Sequence, residues 1–127
     1  MADEAKISDS LDYIEMNLSS KLRLEDLSGR VFLSKYHYHR LFHRLTGEPV
    51  KRYINKRRMA AAAQELICSD ARILDIAIKY QFSSQEAFTR AFKRVYDTTP
   101  AEYRRLYAIG TTRLIGRGGH QITGMAA

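Results

Sequence analysis

The chain carries nearly the same pattern twice. Residues 24–45, LEDLSGRVFLSKYHYHRLFHRL, lie over residues 73–95, ILDIAIKYQFSSQEAFTRAFKRV, with one extra residue in the second turn. Asp26 then matches Asp75, Leu27 matches Ile76 and Arg30 matches Lys79. Past the turn, Tyr38 matches Phe88, Arg40 matches Arg90, Phe42 matches Phe92 and Arg44 matches Arg94. Each copy reads as a short helix, a tight turn and a longer helix whose basic residues lie away from its apolar stripe. That is a helix-turn-helix written twice. The expected fold is therefore all-α, with two helix-turn-helix subdomains, a long linker helix and about seven helices.

Periodicity supplies the elements. Ile7, Leu11, Ile14 and Leu18 recur at helical spacing and mark an amphipathic helix. SSKLR interrupts it, and 24–31 gives a short helix with Leu24, Leu27 and Val31 inward. Ser34 suits the N-cap of the next helix, whose apolar face is Tyr38, Leu41, Phe42 and Leu45, and Gly47 ends it. Pro49 fits the first turn of a helix over 49–67. A short helix over 73–80 follows. Ser83 and Glu86 then spell a capping box before an apolar face of Ala87, Phe88, Ala91, Phe92 and Val95. Pro100 opens a final turn or two, PAEYRRLY. The expected division is 1–48 and 69–107 for the two subdomains, 49–68 for the linker helix and 108–127 for a Gly-rich tail or linker.

Charge points to the partner. Twenty-one Lys and Arg against 14 Asp and Glu leave a formal +7, which favours a polyanion without choosing among DNA, RNA and a lipid surface. The polar start MADEAKISDS does not read as a secretory signal, and no apolar run approaches membrane-spanning length. The single cysteine, Cys68, is expected as a small residue packed in the core of a protein from a reducing, cytoplasmic setting. No phosphate-cradling loop, H-E-x-x-H or nucleophile elbow occurs, so no enzyme activity is expected.

Two helical hairpins in a bundle with merely solvated cations would show the same periodicity. The spacing argues otherwise: a linker helix of about 30 Å can hold two recognition helices roughly 34 Å apart, one turn of B-DNA. The residues 7–107 resemble the DNA-binding domain of AraC/XylS-type transcription regulators. They are similar in plan to its small stand-alone members, the antibiotic-resistance and superoxide-response activators. The resemblance is carried by F-x-S-x-x-x-F-x-x-x-F-K within QFSSQEAFTRAFKRV and by TPAEYRR. In the first half it is carried by S-K-x-H-x-x-R-x-F and by Tyr53, Arg57 and Ala61. It implies promoter binding by two helix-turn-helix subdomains, activation, RNA polymerase contact, a monomer on double-stranded DNA and a nucleoid-associated location. Where the family usually has a glycine in each turn, this chain has Phe32 and Gln81. Either the turn differs or the backbone is strained there.

The outward face of the first recognition helix is Lys35, Tyr36, His39, Arg40, His43 and Arg44. The resemblance puts base reading on Tyr36, His39 and Arg40, and chemistry agrees: arginine pairs with guanine O6 and N7, and histidine donates to a purine edge. In the second helix the outward face is Gln85, Glu86, Thr89, Arg90, Lys93 and Arg94, with base reading implied for Gln85, Glu86 and Arg90 and expected also from Thr89. Glu86 either accepts from cytosine or is occupied in its capping box. Ser34, Lys35, His43, Arg44, Lys51, Arg52, Ser84, Lys93 and Arg94 are expected to meet phosphates. In KRYINKRR, Tyr53 and Ile54 are expected inward and Arg57 in an intramolecular contact, with His37 structural.

His39 and His43 have the four-residue spacing of a helical metal chelate. No carboxylate or cysteine in the segment completes the ligand set, and Arg40 and Arg44 oppose a dication. No metal or other cofactor is expected. Two functional readings stay open: a stand-alone regulator, or a DNA-binding piece of a longer ligand-sensing regulator or of a module acting mainly through polymerase.

Overall fold

A computed structural model describes residues 2–108. Among them are seven α-helices and no strand: α1 Ala2–Met16, α2 Leu24–Arg30, α3 Lys35–Thr46, α4 Val50–Cys68, α5 Ile73–Lys79, α6 Gln85–Tyr96 and α7 Pro100–Tyr107. The described residues form two compact units, which divide within α4 between Arg58 and Met59. The tail expected over 108–127 lies outside the described residues, Ala108 excepted.

In the first unit α3 packs on α1 and α2. Ile7, Ile14, Leu18, Leu27, Val31, Tyr38, Leu41 and Phe42 are buried, and Leu11 is half-buried. Tyr38 buries its phenol by hydrogen-bonding Ser10 of α1. Burial pushes that phenol's pKa up, against the opposing pull of Ser10. In the second unit Ile76, Ala77, Tyr80, Phe88, Phe92 and Leu66 form the core. An aromatic chain continues from Phe92 to Tyr96, stacked at 4.5 Å, and on to Tyr103 and Tyr107.

Three side chains expected inside are exposed. Leu45 is 38% and Val95 62% exposed. They occupy equivalent places in the last turns of α3 and α6, twelve-residue helices lying on seven-residue ones, so their ends overhang the seam. Cys68 is exposed as well. The buried stripe of α4 in this unit is Met59, Ala62, Ala63 and Leu66. Cys68, two residues past Leu66, is rotated about 200° from it.

Both helix-turn-helix turns keep the left-handed residue, without glycine: Phe32 has φ 61° and Gln81 has φ 71°. The choice left open by the sequence thus resolves to strain. A left-handed L-residue costs about 1–2 kcal/mol. Gly47 ends α3 with φ 87°, and Asp97, at the matching place, ends α6 with φ 61°.

Candidate nucleic-acid interface

Each recognition helix begins on a serine. The Ser34 hydroxyl accepts from the His37 amide at 3.1 Å, and the Ser84 hydroxyl from the Ala87 amide at 3.0 Å. Ser83 is therefore not the cap and Glu86 belongs to no capping box. Ser84, the repeat partner of Ser34, takes the position, which leaves Glu86 on the exposed face. The true box sits one helix later, where Thr99 accepts from the Glu102 amide at 3.1 Å and Glu102 accepts from the Thr99 amide at 3.1 Å. Hydrogen bonds from Thr98 and Thr99 hold the Glu102 carboxyl below its usual pKa. The motif T-x-x-E was legible in TPAE.

With Tyr38, Leu41 and Phe42 buried, Tyr36 and Arg40 point the opposite way on α3. They share a shallow concavity of about 330 Å³ with His37, Leu41 and Arg44. His37 is thus exposed on the outer face and has no structural role in the core. Arg40 donates from Nη1 to the Tyr36 phenol at 3.3 Å. His39 turns aside and opens onto a separate groove between α2, α3 and the first turns of α4. The three residues expected to read bases in this half therefore do not form one cluster. In α6 the corresponding residues do: Gln85, Glu86, Thr89 and Arg90 line one concavity of about 450 Å³.

Several basic residues are paired within the chain, and others, Lys6, Lys21 and Arg23 outside α3 and α6 among them, have no acidic partner within ion-pair distance among the described residues. Arg57 binds Glu15 through two hydrogen bonds at 3.0 and 2.8 Å, which hold the Glu15 carboxyl below its usual pKa. Arg30 pairs with Asp9 at 3.1 Å, Lys56 with Glu48 at 2.7 Å and Arg72 with Asp75 at 3.0 Å. Lys79 pairs with Glu65. Among the described residues Arg40, Arg44, Lys51, Arg52, Arg90, Lys93 and Arg94 have no acidic partner within ion-pair distance, and all are exposed. Lys35 alone among the cations expected at phosphates has a partner, Glu25, at a loose 3.9 Å. His43 is exposed beside Arg44.

Two arginines escaped the sequence reading. Arg58 donates to the carbonyls of Leu18 and Ser20 at 2.9 and 2.6 Å. Arg104 donates to those of Leu66, Ser69 and Ala71 at 2.9, 3.2 and 2.7 Å. Both tie down the end of the helix that precedes a helix-turn-helix. Their neighbours in KRR and YRR are exposed or ion-paired, and only the repetition of an arginine after each recognition helix hints at the task. Within KRYINKRR, Ile54 is buried, Tyr53 sets its ring edge-on to Phe42 at 5.7 Å, and Arg57 is held within the chain, as expected.

Among the described residues no group of three or more His, Cys, Asp or Glu is arranged to hold a metal ion. No helix among them is long and apolar enough to cross a membrane.

Residues 27–106 match the family described as a helix-turn-helix domain. The chain is 44% identical over 101 residues to the HTH-type transcriptional regulator YbfP of Bacillus subtilis, covering 80% of this chain and 34% of YbfP. It is 41% identical over 113 residues to the multiple antibiotic resistance protein MarA of Escherichia coli, covering 89% of each. A transcriptional regulator with an AraC-type DNA-binding domain from Chromobacterium violaceum superposes with a TM-score of 0.76 at 25% identity, covering 85% of this chain and 96% of that one.

Proposed function

Because the chain belongs to the AraC-type helix-turn-helix family of transcription regulators, we propose that it binds promoter DNA in a sequence-specific way and activates transcription. The observation that carries this is the sorting of its cations. Arg30, Lys56, Arg57, Arg72 and Lys79 are matched by carboxylates and Arg58 and Arg104 by carbonyls, while Arg40 and Arg44 of α3 and Arg90, Lys93 and Arg94 of α6 meet no acidic partner within ion-pair distance among the described residues. An uncompensated basic helix face of this kind gains most from displacing counterions on a polyphosphate.

In this reading Tyr36, His39 and Arg40 read one half of a bipartite site, and Gln85, Glu86, Thr89 and Arg90 read the other. Ser34, Lys35, His43, Arg44, Lys51 and Arg52, with Ser84, Lys93 and Arg94, meet the phosphates. Two copies of the helix-turn-helix in one chain suit a bipartite site whose halves fall in successive major grooves. The chain acts by binding, with no catalytic step, as a monomer on DNA that presents itself to RNA polymerase.

Selection of bound sequences from a random duplex pool at physiological salt tests this. The expected product is a bipartite motif with halves about one helical turn apart. No enrichment over the input pool would sink specific recognition.

A second reading has one observation behind it: the chain spans 34% of YbfP. On that reading the same DNA-binding unit serves a longer, ligand-sensing regulator.

A further inference from the structure

The internal repeat extends past the recognition helices. Tyr53 and Tyr103 set their rings edge-on against Phe42 and Phe92, at 5.7 and 5.2 Å. The same register matches Ile54 with Arg104. In the second unit Arg104 reaches from α7 to the carbonyl of Ala71, just ahead of α5, and so bridges the two segments. In the first unit the matching side chain is the aliphatic Ile54. The carbonyl-binding task there falls to Arg58, one turn later, which goes to Leu18 and Ser20 instead. A groove of about 400 Å³ lies between α2, α3 and α4, with Arg58 in its lining.

Its chemistry is two-sided. Leu22, Leu27 and Ile54 give an apolar floor, while Lys51, His39 and Asn55 stand around it, and no carboxylate lines it. Lys51 has no acidic partner among the described residues. Lys51, exposed at the rim, complements an anionic group, and the apolar floor complements a hydrocarbon body.

We propose that this groove binds a small amphipathic organic anion, an aromatic or short alkyl carboxylate, with its apolar body on Leu22, Leu27 and Ile54 and its carboxylate at Lys51. Because His39 and Lys51 also belong to the DNA-facing set proposed above, the ligand competes with DNA at this half-site. That coupling rests on the DNA-binding reading, whereas the groove does not.

The full chain is titrated with 2-naphthoate by calorimetry, without DNA. One saturable site is expected. 2-Naphthamide, the same shape without the charge, should bind about tenfold more weakly. Leu22→Trp, which fills the floor from a half-buried position, should abolish binding, with its thermal melt read alongside to establish that it is folded. Absence of saturable binding, equal binding of the amide, or unchanged binding by folded Leu22→Trp would each overturn the site. In a second arm, 2-naphthoate should raise the Kd for duplex DNA of the wild-type chain but not of Leu22→Trp, and an unchanged Kd with ligand bound overturns the competition. A chain that binds 2-naphthoate but no duplex refutes the DNA reading and leaves the groove standing.

Discussion

Arg40 lies against Tyr36 one helical turn before it, with its guanidinium carbon 5.5 Å from the ring centre and Nη1 3.3 Å from the phenol oxygen. A guanidinium held over a ring has fewer rotamers to lose when it meets a guanine edge. In α6 the residue one turn before Arg90 is Glu86, and among the described residues no hydrogen bond joins the two. Tyr36→Phe keeps the ring and removes the acceptor. It should weaken binding to the half-site read by α3 by about 0.5–1 kcal/mol, and Arg40→Ala by about 1–3 kcal/mol. Fluorescence anisotropy on duplexes mutated in one half at a time checks this. Equal losses on both halves would mean that Tyr36 does not position Arg40.

The left-handed turn residues give a stability prediction. Phe32 is 89% exposed, so its ring has little packing to lose, and its φ of 61° is one that glycine adopts at no steric cost. Phe32→Gly should stabilise the chain by about 1 kcal/mol, the strain relieved less the extra entropy of the unfolded glycine. The check is a thermal melt, in which Tm should rise by a few degrees. A fall in Tm would show that the exposed ring has a packing role.

Helical periodicity made α3 and α6 legible because Tyr38, Phe42, Phe88 and Phe92 keep one face through each helix, and the repeat supplied their pairing. It could not give the ends of those faces. Whether Leu45 and Val95 are covered depends on how far the partner helix extends, a tertiary fact absent from local spacing. Capping was misjudged by one residue because Ser83 and Ser84 offer the same chemistry. Only the Ser34 match, already contained in the repeat, separates them. The unpaired cations could be separated from the paired ones only after folding, because Lys56 and Lys51 differ in their neighbours and not in kind. His39 is exposed on the same helix as Tyr36 and Arg40, yet it lines the groove between α2, α3 and α4 and not their concavity.

A buried-edge network in the second unit sets the pH response. Glu65 accepts from Lys79 and from the Tyr80 hydroxyl, the latter at 2.7 Å. Burial raises the Glu65 pKa, but the hydrogen bonds from Lys79 and Tyr80 outweigh it, and the folded value lies below the usual one. Burial and the bond to Glu65 push the Tyr80 phenol up to about 12. The depressed carboxyl contributes stability above its ordinary pKa of about 4.3, lost as pH falls toward the folded value. The raised phenol contributes stability below its ordinary pKa of about 10, lost as pH climbs toward 12. Urea midpoints should therefore be level between these limits and fall outside them. Glu65→Gln should lower the plateau by about 1–2 kcal/mol and flatten the acid limb. A variant whose acid limb keeps the wild-type slope would place the sensitivity elsewhere, Glu15 being the next carboxylate to test.

Arg58 and Arg104 do the same work with unequal means, and the inequality is measurable. Arg104 serves three carbonyls, those of Leu66, Ser69 and Ala71, whereas Arg58 serves two, those of Leu18 and Ser20. The Leu66 carbonyl lies in the last turn of α4, where carbonyls lack intrahelical partners and a cation also meets the negative end of the helix dipole, while Leu18, Ser20, Ser69 and Ala71 lie in the segments just after α1 and α4. Burial lowers the Arg58 pKa, yet the guanidinium stays charged throughout the accessible pH range. Removing such a donor strands polar groups at about 1–3 kcal/mol apiece where water cannot replace it. Arg104→Ala should accordingly cost about 2–3 kcal/mol, allowing for water reaching the more exposed acceptors, and Arg58→Ala somewhat less. Lysine at either place keeps the charge but not the fork, and should recover less than half of the loss. Hydrogen exchange locates the damage: Arg104→Ala should deprotect α5 and α6 while leaving α2 and α3 at wild-type rates, and Arg58→Ala should do the reverse. Uniform deprotection in either variant would show that the two units unfold as one.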